Sequence, residues 1–248
     1  MGKVHVGTMG WSYDFWVGNL YSKEAKADEY LAEYARHFDS VEVDSTFYRI
    51  PSEATVKKWF DQTPSEFIFS MKFPRIITHI KMLKDCQPET DAFIRHISGL
   101  NGKLGPLLLQ FPYTFGKSQA SSLGEFLANL PQKHRIAVEV RNKALLNYDF
   151  YSLLRQNEVA LAWVDSPFMP KLEVTTADFS YIRWEGDRRK VNGLLGKTEI
   201  DRARDIEAWA GRIRLLLDDS MEVYGYFSKY YSGYPPNDAS QLLRLLQK

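Results

Sequence analysis

Eight short apolar or β-branched runs punctuate the chain, at residues 4–8, 40–44, 67–72, 106–111, 135–140, 159–165, 179–184 and 222–227. Most are hydrophobic almost without interruption, the pattern of strands covered on both faces. Between them, apolar residues recur at helical spacing over 24–38, 53–61, 89–100, 121–130, 149–156, 199–218 and 239–247, with Ser52 placed as an N-cap. Parallel strands need long crossovers, usually helical, so this alternation predicts βαβ units. Eight such units in 248 residues predict an α/β fold, a single (β/α)8 TIM barrel forming one domain over 1–248. Segment 166–178 holds Pro167 and Pro170 and is too short for a full helix. It is expected to be an irregular connection between the sixth and seventh strands.

Composition narrows the function. With 32 Lys and Arg against 31 Asp and Glu, the net charge is +1, so any nucleic-acid binding must rest on a local patch. Cys86 is the single cysteine, which rules out an internal disulfide and a thiolate-cluster metal site. No run approaches the roughly 20 apolar residues of a membrane span, and the opening residues do not resemble a secretory leader. A cytoplasmic location away from membranes is the expectation; the sequence carries no signal of oligomeric state. Dinucleotide, P-loop, zinc-protease and nucleophile-elbow motifs are all missing.

Charge sits at the ends of the strands. The second run ends Val41-Glu42-Val43-Asp44, the fifth Val138-Glu139-Val140-Arg141, and the seventh leads into Ile182-Arg183-Trp184-Glu185. Side chains alternate faces along a strand, so the charged set can face the axis while the apolar set faces the helices. The opposite register would bury unpaired charges beneath helices at several kcal/mol each. The same parity is expected to point Lys72, Gln110 and Asp165 inward. Barrel active sites assemble at this end. Loops there add Trp11, Tyr48 and Lys229, and aromatics among them could stack a sugar or nucleobase. One basic segment follows the third run (Lys72, Arg75, His79, Lys81, Lys84). A second, Arg188-Arg189-Lys190, follows the seventh, where Gly186, Gly193 and Gly196 would let backbone N–H groups approach a phosphate.

These segments resemble the YecE-like family, known as domain of unknown function 72. The resemblance runs through Gly7-Thr8-Met9-Gly10-Trp11-Ser12-Tyr13, Glu42-Val43-Asp44-Ser45-Thr46-Phe47-Tyr48, Lys72-Phe73-Pro74-Arg75 with Thr78-His79, and Leu109-Gln110-Phe111-Pro112. It continues through Glu139-Val140-Arg141, Tyr181-Ile182-Arg183 and Pro236-Asn237-Asp238-Ala239. It implies a TIM barrel and brings no established activity; a likeness to endonuclease-IV-like barrels implies nucleic-acid binding by analogy. Three positions depart from the family pattern: Asp44 for Asn, Glu185 for His, and Ser228-Lys229 for Asn-Asn. An ion pair between Glu185 and Lys229 is the expected compensation.

Three chemistries fit these residues. The first is a hydrolase or lyase acting on a phosphate-containing, nucleotide or nucleic-acid-like substrate. Glu42, Glu139, Asp165 and Lys72 would be its catalytic set. Trp11, Asp44, Tyr48, Gln110, Arg141, Arg183, Glu185, Arg188 and Lys229 would bind substrate. The second is a sugar isomerase or epimerase using the carboxylates as acid and base. The third is a non-catalytic nucleic-acid-binding module. No cofactor or metal ligand set is predicted, although magnesium or manganese would suit an oxygen-rich site. A multi-zinc cluster needs more histidine than His5, His37, His79, His96 and His134 place near the site.

Overall fold

The computed structural model describes residues 2–131 and 134–247; Met1, Gln132, Lys133 and Lys248 lie outside the described residues. The strands are β1 (Val4–Thr8), β2 (Ser40–Val43), β3 (Ile68–Lys72), β4 (Leu104–Gln110) and β5 (Ile136–Glu139), then β6 (Ala160–Leu161), β7 (Trp163–Asp165), β8 (Phe179–Trp184) and β9 (Glu222–Phe227). They form two parallel sheets, ordered β1-β9-β8-β7 and β2-β3-β4-β5-β6. Helices connect them: α1 (Tyr30–Tyr34), α2 (Glu53–Asp61), α3 (Gln87–Ile97), α4 (Lys117–Ala128), α5 (Tyr148–Gln156), α6 (Ala203–Asp218), α7 (Lys229–Ser232) and α8 (Pro235–Leu246). Every sequence run thus yields a strand. The 166–178 connection is irregular throughout, as expected.

The helices differ from expectation where side chains compete with backbone pairing. Only Tyr30–Tyr34 of the 24–38 stretch is α-helical. Glu33 accepts hydrogen bonds from the Ser22 amide and hydroxyl, and Glu29 accepts one from the Lys26 amide, so carboxylates fold the approach into turns. Helix α6 starts at Ala203, whose amide donates to the Asp201 carboxylate.

The sixth run splits in two. Leu161 belongs to the five-stranded sheet and Trp163 to the four-stranded one, with the Ala162 amide donating to Val138 O at 2.9 Å. At the outer edge of β6, the Thr176 hydroxyl accepts from the Leu161 amide at 2.7 Å and donates to Val159 O at 2.6 Å. The irregular connection thereby covers a strand edge that would otherwise be buried with its backbone unpaired. The gap between β1 and β2 is handled in the same way. The Tyr34 hydroxyl accepts from the Thr8 amide at 2.9 Å and donates to Ser40 O at 3.0 Å. Gly7 makes room for it, because a Cβ there would lie 2.0 Å from Ser40 O and 2.7 Å from the hydroxyl. Direct contact resumes at the carboxyl end, where Met9 bridges Glu42 and the Gly10 amide donates to Glu42 O at 2.8 Å.

Two apolar layers result. A large one packs the sheets against the helices, with Trp184 stacked on Phe227 and edge-on to Trp209 of α6. A smaller one lies between the sheets and contains Met9, Leu108, Ala137, Ala160, Tyr181 and Tyr226. There the Tyr226 hydroxyl bonds Ser40 and Ser70 across the interior. No helix among the described residues is long and apolar enough to cross a membrane.

Tyr34→Phe leaves the buried Thr8 amide and Ser40 carbonyl without their shared partner, at an expected cost of about 1–3 kcal/mol. Urea unfolding should show a lower midpoint at unchanged slope; an unchanged midpoint would show that the hydroxyl is not a structural bridge.

Candidate functional site

Above the inner apolar layer the interior turns ionic. Arg183, on β8, is 1% exposed and reaches across to the other sheet. Its Nε and Nη2 donate to the two oxygens of Glu42 at 2.9 and 2.8 Å, and its Nη1 donates to Glu139 at 2.5 Å and also to Glu185. The Tyr181 hydroxyl adds a 2.7 Å hydrogen bond to Glu42, and the Gln110 amide one of 2.7 Å to Glu139. Inward parity therefore holds for Glu42, Lys72, Gln110, Glu139, Arg183 and Glu185. Tyr181 was missed, although it shares the inward parity of Arg183 two residues on.

A cleft opens over this network in two lobes. The larger, about 410 Å³, is lined by Asp44, Phe47, Tyr48, Lys72, Arg75, His79, Gln110, Arg141 and Arg188. The smaller, about 130 Å³, shares Arg141 and Arg188 and adds Glu139, Glu185, Tyr113, Phe168, Met169 and Tyr230 among its walls. Arg75 and Arg188 make no ion pair among the described residues. Arg141 is 3.4 Å from Glu139, and Lys72 is 3.9 Å from Asp44, with its ammonium over the Phe47 ring. Asp44 Oδ1 accepts no hydrogen bond among the described residues. Tyr48 is 76% exposed at the rim. His79 sits on a single π-helical segment, Ile76–Ile80, after which Met82, Leu83 and Asp85 adopt positive φ. Non-glycine residues there are strained, and such segments often aim functional side chains.

Four expectations are corrected. Asp165 faces away from the cleft: it shares the outward parity of Leu161 and Trp163, accepts from Trp209 Nε1 at 2.7 Å and pairs with Lys171 at 3.2 Å. The small side chains Ala160 and Ala162 fill the interior on that strand, which sends the bulky residues and Asp165 outward. Trp11 packs edge-on against Trp59 and Phe69 rather than lining the cleft. Lys229 does not meet Glu185; its ammonium lies over the rings of Tyr13, Phe15 and Tyr230, while Glu185 is drawn to Arg183. The glycine-rich loop offers no free amides at Asn192 and Gly193, whose N–H groups donate to Glu199 at 2.9 and 2.7 Å. Within that loop Arg189 is locked to Asp187, which leaves Arg188 to reach the cleft. Beyond the third run, Lys81 pairs with Glu89, away from the cleft.

Among the described residues, no group of three or more His, Cys, Asp or Glu is placed to hold a metal ion. The carboxylates that would suit magnesium converge on the Arg183 guanidinium. They titrate in opposite directions. Burial pushes the Glu42 carboxyl up to about 7, against the pull of Arg183 and with Asp44 adding to the rise. Burial also works to raise Glu139, but Arg183, Arg141 and Lys72 outweigh it and hold the group down to about 2. His79 is lowered to about 4 by burial and by Lys72, Arg141 and Arg75, so it is neutral at pH 7.

The raised Glu42 group contributes stability in full below its ordinary value of 4.5 and loses it as pH rises through about 7. The lowered Glu139 group does the reverse, complete above 4.5 and lost as pH falls toward about 2. Glu42 therefore contributes a decline of at most about 1.4 kcal/mol per unit from about pH 5 to about pH 7. It is opposed by His79, lowered to about 4, and accompanied by Asp238, raised to about 7. Wild-type stability should fall more steeply or rise less across that window than that of Glu42→Gln. Parallel urea-midpoint profiles for the two proteins would contradict it.

The family model described as "Protein of unknown function DUF72" matches residues 5–248. UPF0759 protein YecE of Escherichia coli K12 is 35% identical over 139 residues, 56% of this chain, and the aligned stretch spans 48% of that relative, about half its length. UPF0759 protein YunF of Bacillus subtilis is 24% identical over 98% of this chain and 94% of its own. A crystal structure of a DUF72 family protein from Thermotoga maritima superposes with a TM-score of 0.86 at 26% identity, covering 99% of this chain and 100% of that one. With a family model spanning nearly its whole length and the same fold in a family crystal structure, this chain belongs to the DUF72 family.

Proposed function

We propose that the cleft binds a phosphate-bearing, nucleotide-like ligand and that the protein is an enzyme of the hydrolase or lyase type acting on it. The observation that carries this reading is the cation excess of the larger lobe, where Lys72, Arg75, Arg141 and Arg188 line the wall against the single carboxylate of Asp44. Arginine suits phosphate because its planar fork donates two parallel hydrogen bonds to a pair of oxygens. The three carboxylates beneath share the single charge of Arg183, so they offset part of the charge on the lining cations and leave Arg75 and Arg188 without an ion pair among the described residues.

Proton transfer at the ligand falls to Glu139, Glu185 and His79, which line the cleft. Glu42 is 0% exposed, with both oxygens engaged by Arg183 and one by Tyr181, and acts on the ligand only through Arg183. Asp165 has no part in this reading, since it serves α6. The supporting scaffold is read as one closed (β/α)8 barrel over the whole chain. Tyr34 and Thr176 occupy its two seams, and the cleft lies at the carboxyl ends of its strands, the usual site in that fold. The lone Cys86 suits a reducing cytoplasm.

Calorimetric titration with inorganic phosphate at low ionic strength tests the reading. Binding is expected in the wild type, with about tenfold or greater loss in Arg141→Ala. Lys57→Ala, which breaks only an exposed helix pair with Asp61, should not change it. No binding at low salt, or equal affinity in the Arg141 variant, would overturn the proposal.

A further inference from the structure

The two lobes differ in charge, and the difference orients a ligand. Arg141 and Arg188 stand on the wall common to both. Apart from them, the larger lobe contributes Lys72 and Arg75 against Asp44, whereas the smaller contributes the carboxylates of Glu139 and Glu185 and no cation of its own. A phosphate placed in the smaller lobe would meet two like charges at short range. In the larger lobe it meets cations, with the shared arginines still in reach. The smaller lobe favours the opposite chemistry: groups that donate hydrogen bonds to carboxylates, on a body flat enough to lie between Tyr113, Phe168 and Tyr230.

Size limits what that body can be. The smaller lobe, about 130 Å³, holds roughly four waters' worth of space, which is the scale of one five- or six-membered ring. At the larger lobe, Asp44 Oδ1 is buried without a hydrogen bond among the described residues, 3.9 Å from Lys72 Nζ and 3.8 Å from Arg183 Nη2, so this oxygen is turned to the network and not to the ligand.

We infer that the ligand is a small phosphomonoester, a sugar phosphate or a mononucleotide, held with its phosphate in the larger lobe and one ring bearing hydroxyl or amino groups in the smaller. The assignment rests on the phosphate-binding reading of the cleft and narrows it from nucleic-acid-like ligands to small molecules. Specificity falls on Glu185, Glu139 and the aromatic wall, and phosphate affinity on the cations. A polymer would bring a second phosphate toward Glu139 and Glu185, where it is repelled.

The test is calorimetric titration of the 248-residue chain with inorganic phosphate, ribose 5-phosphate, cytidine 5′-monophosphate, cytidine and a single-stranded oligonucleotide of about a dozen nucleotides. At least one of the two monoesters is expected to bind about tenfold tighter than both inorganic phosphate and cytidine. Which monoester prevails tells a sugar ring from a base. Tyr113→Ala should narrow the gap between that monoester and inorganic phosphate about fivefold, as loss of an aromatic wall does for a stacked ring. Inorganic phosphate binding as tightly as both monoesters would overturn this inference and leave the cleft reading intact. Failure of every probe, inorganic phosphate included, would overturn the cleft reading itself. The oligonucleotide binding tighter than both monoesters would overturn the inference in favour of a polymer ligand.

Discussion

The guanidinium of Arg183 is the contact on which the carboxyl end of this structure depends. It joins one sheet to the other, since Arg183 stands on β8 while Glu42 and Glu139 stand on β2 and β5. A buried cation is tolerable only when its donors are all taken, and removing one partner of such a pair costs several kcal/mol. Here the arrangement is reciprocal. Tyr181 and Gln110 supply the remaining hydrogen bonds to the two glutamates, so none of the three charges is left facing an apolar wall. Glu185 makes the arginine's fourth contact and reaches out to the cleft. Because Arg183 takes up part of this acid from below, Arg75 and Arg188 above it form no ion pair among the described residues.

The inward charges were legible because each sits in a strand whose alternate residues are apolar. Burying Val41 and Val43 against the helices forces Glu42 inward, and the same logic holds for Glu139 and Arg183. The rule failed at Asp165 because the strand's small residues, not its charge, decide which face is interior. Ala160 and Ala162 fit between the sheets where Leu161 and Trp163 do not. The seams were illegible for a different reason. Nothing in the sequence marks Tyr34 as the hydroxyl between β1 and β2, or Thr176 as the group that covers β6, since both act through tertiary placement. Loop chemistry was misread where local partners intervened, as when Glu199 took the amides that the glycine pattern had offered to an anion.

Asp44 and Glu185 land on the same neighbour. Glu185 bonds Arg183 directly and Asp44 lies 3.8 Å from it, so with Glu42 and Glu139 four carboxylates surround one arginine. Lys229 does not offset them, because it is held over the rings of Tyr13, Phe15 and Tyr230. The compensation comes instead from Lys72 and Arg141, the same side chains that line the cleft. Charge balance within the network and affinity for an anion are therefore coupled: each added carboxylate weakens the field a ligand meets.

The central claim is that the cation excess above the Arg183 network forms an anion site. Anomalous diffraction from crystals soaked in tungstate, a heavy-atom stand-in for phosphate, tests it most directly. The strongest tungsten peak is expected in the larger lobe, within reach of Lys72, Arg75 and Arg141. An empty cleft with the strongest peak elsewhere, for example beside Arg135 and Arg155 at the amino ends of the strands, would contradict it.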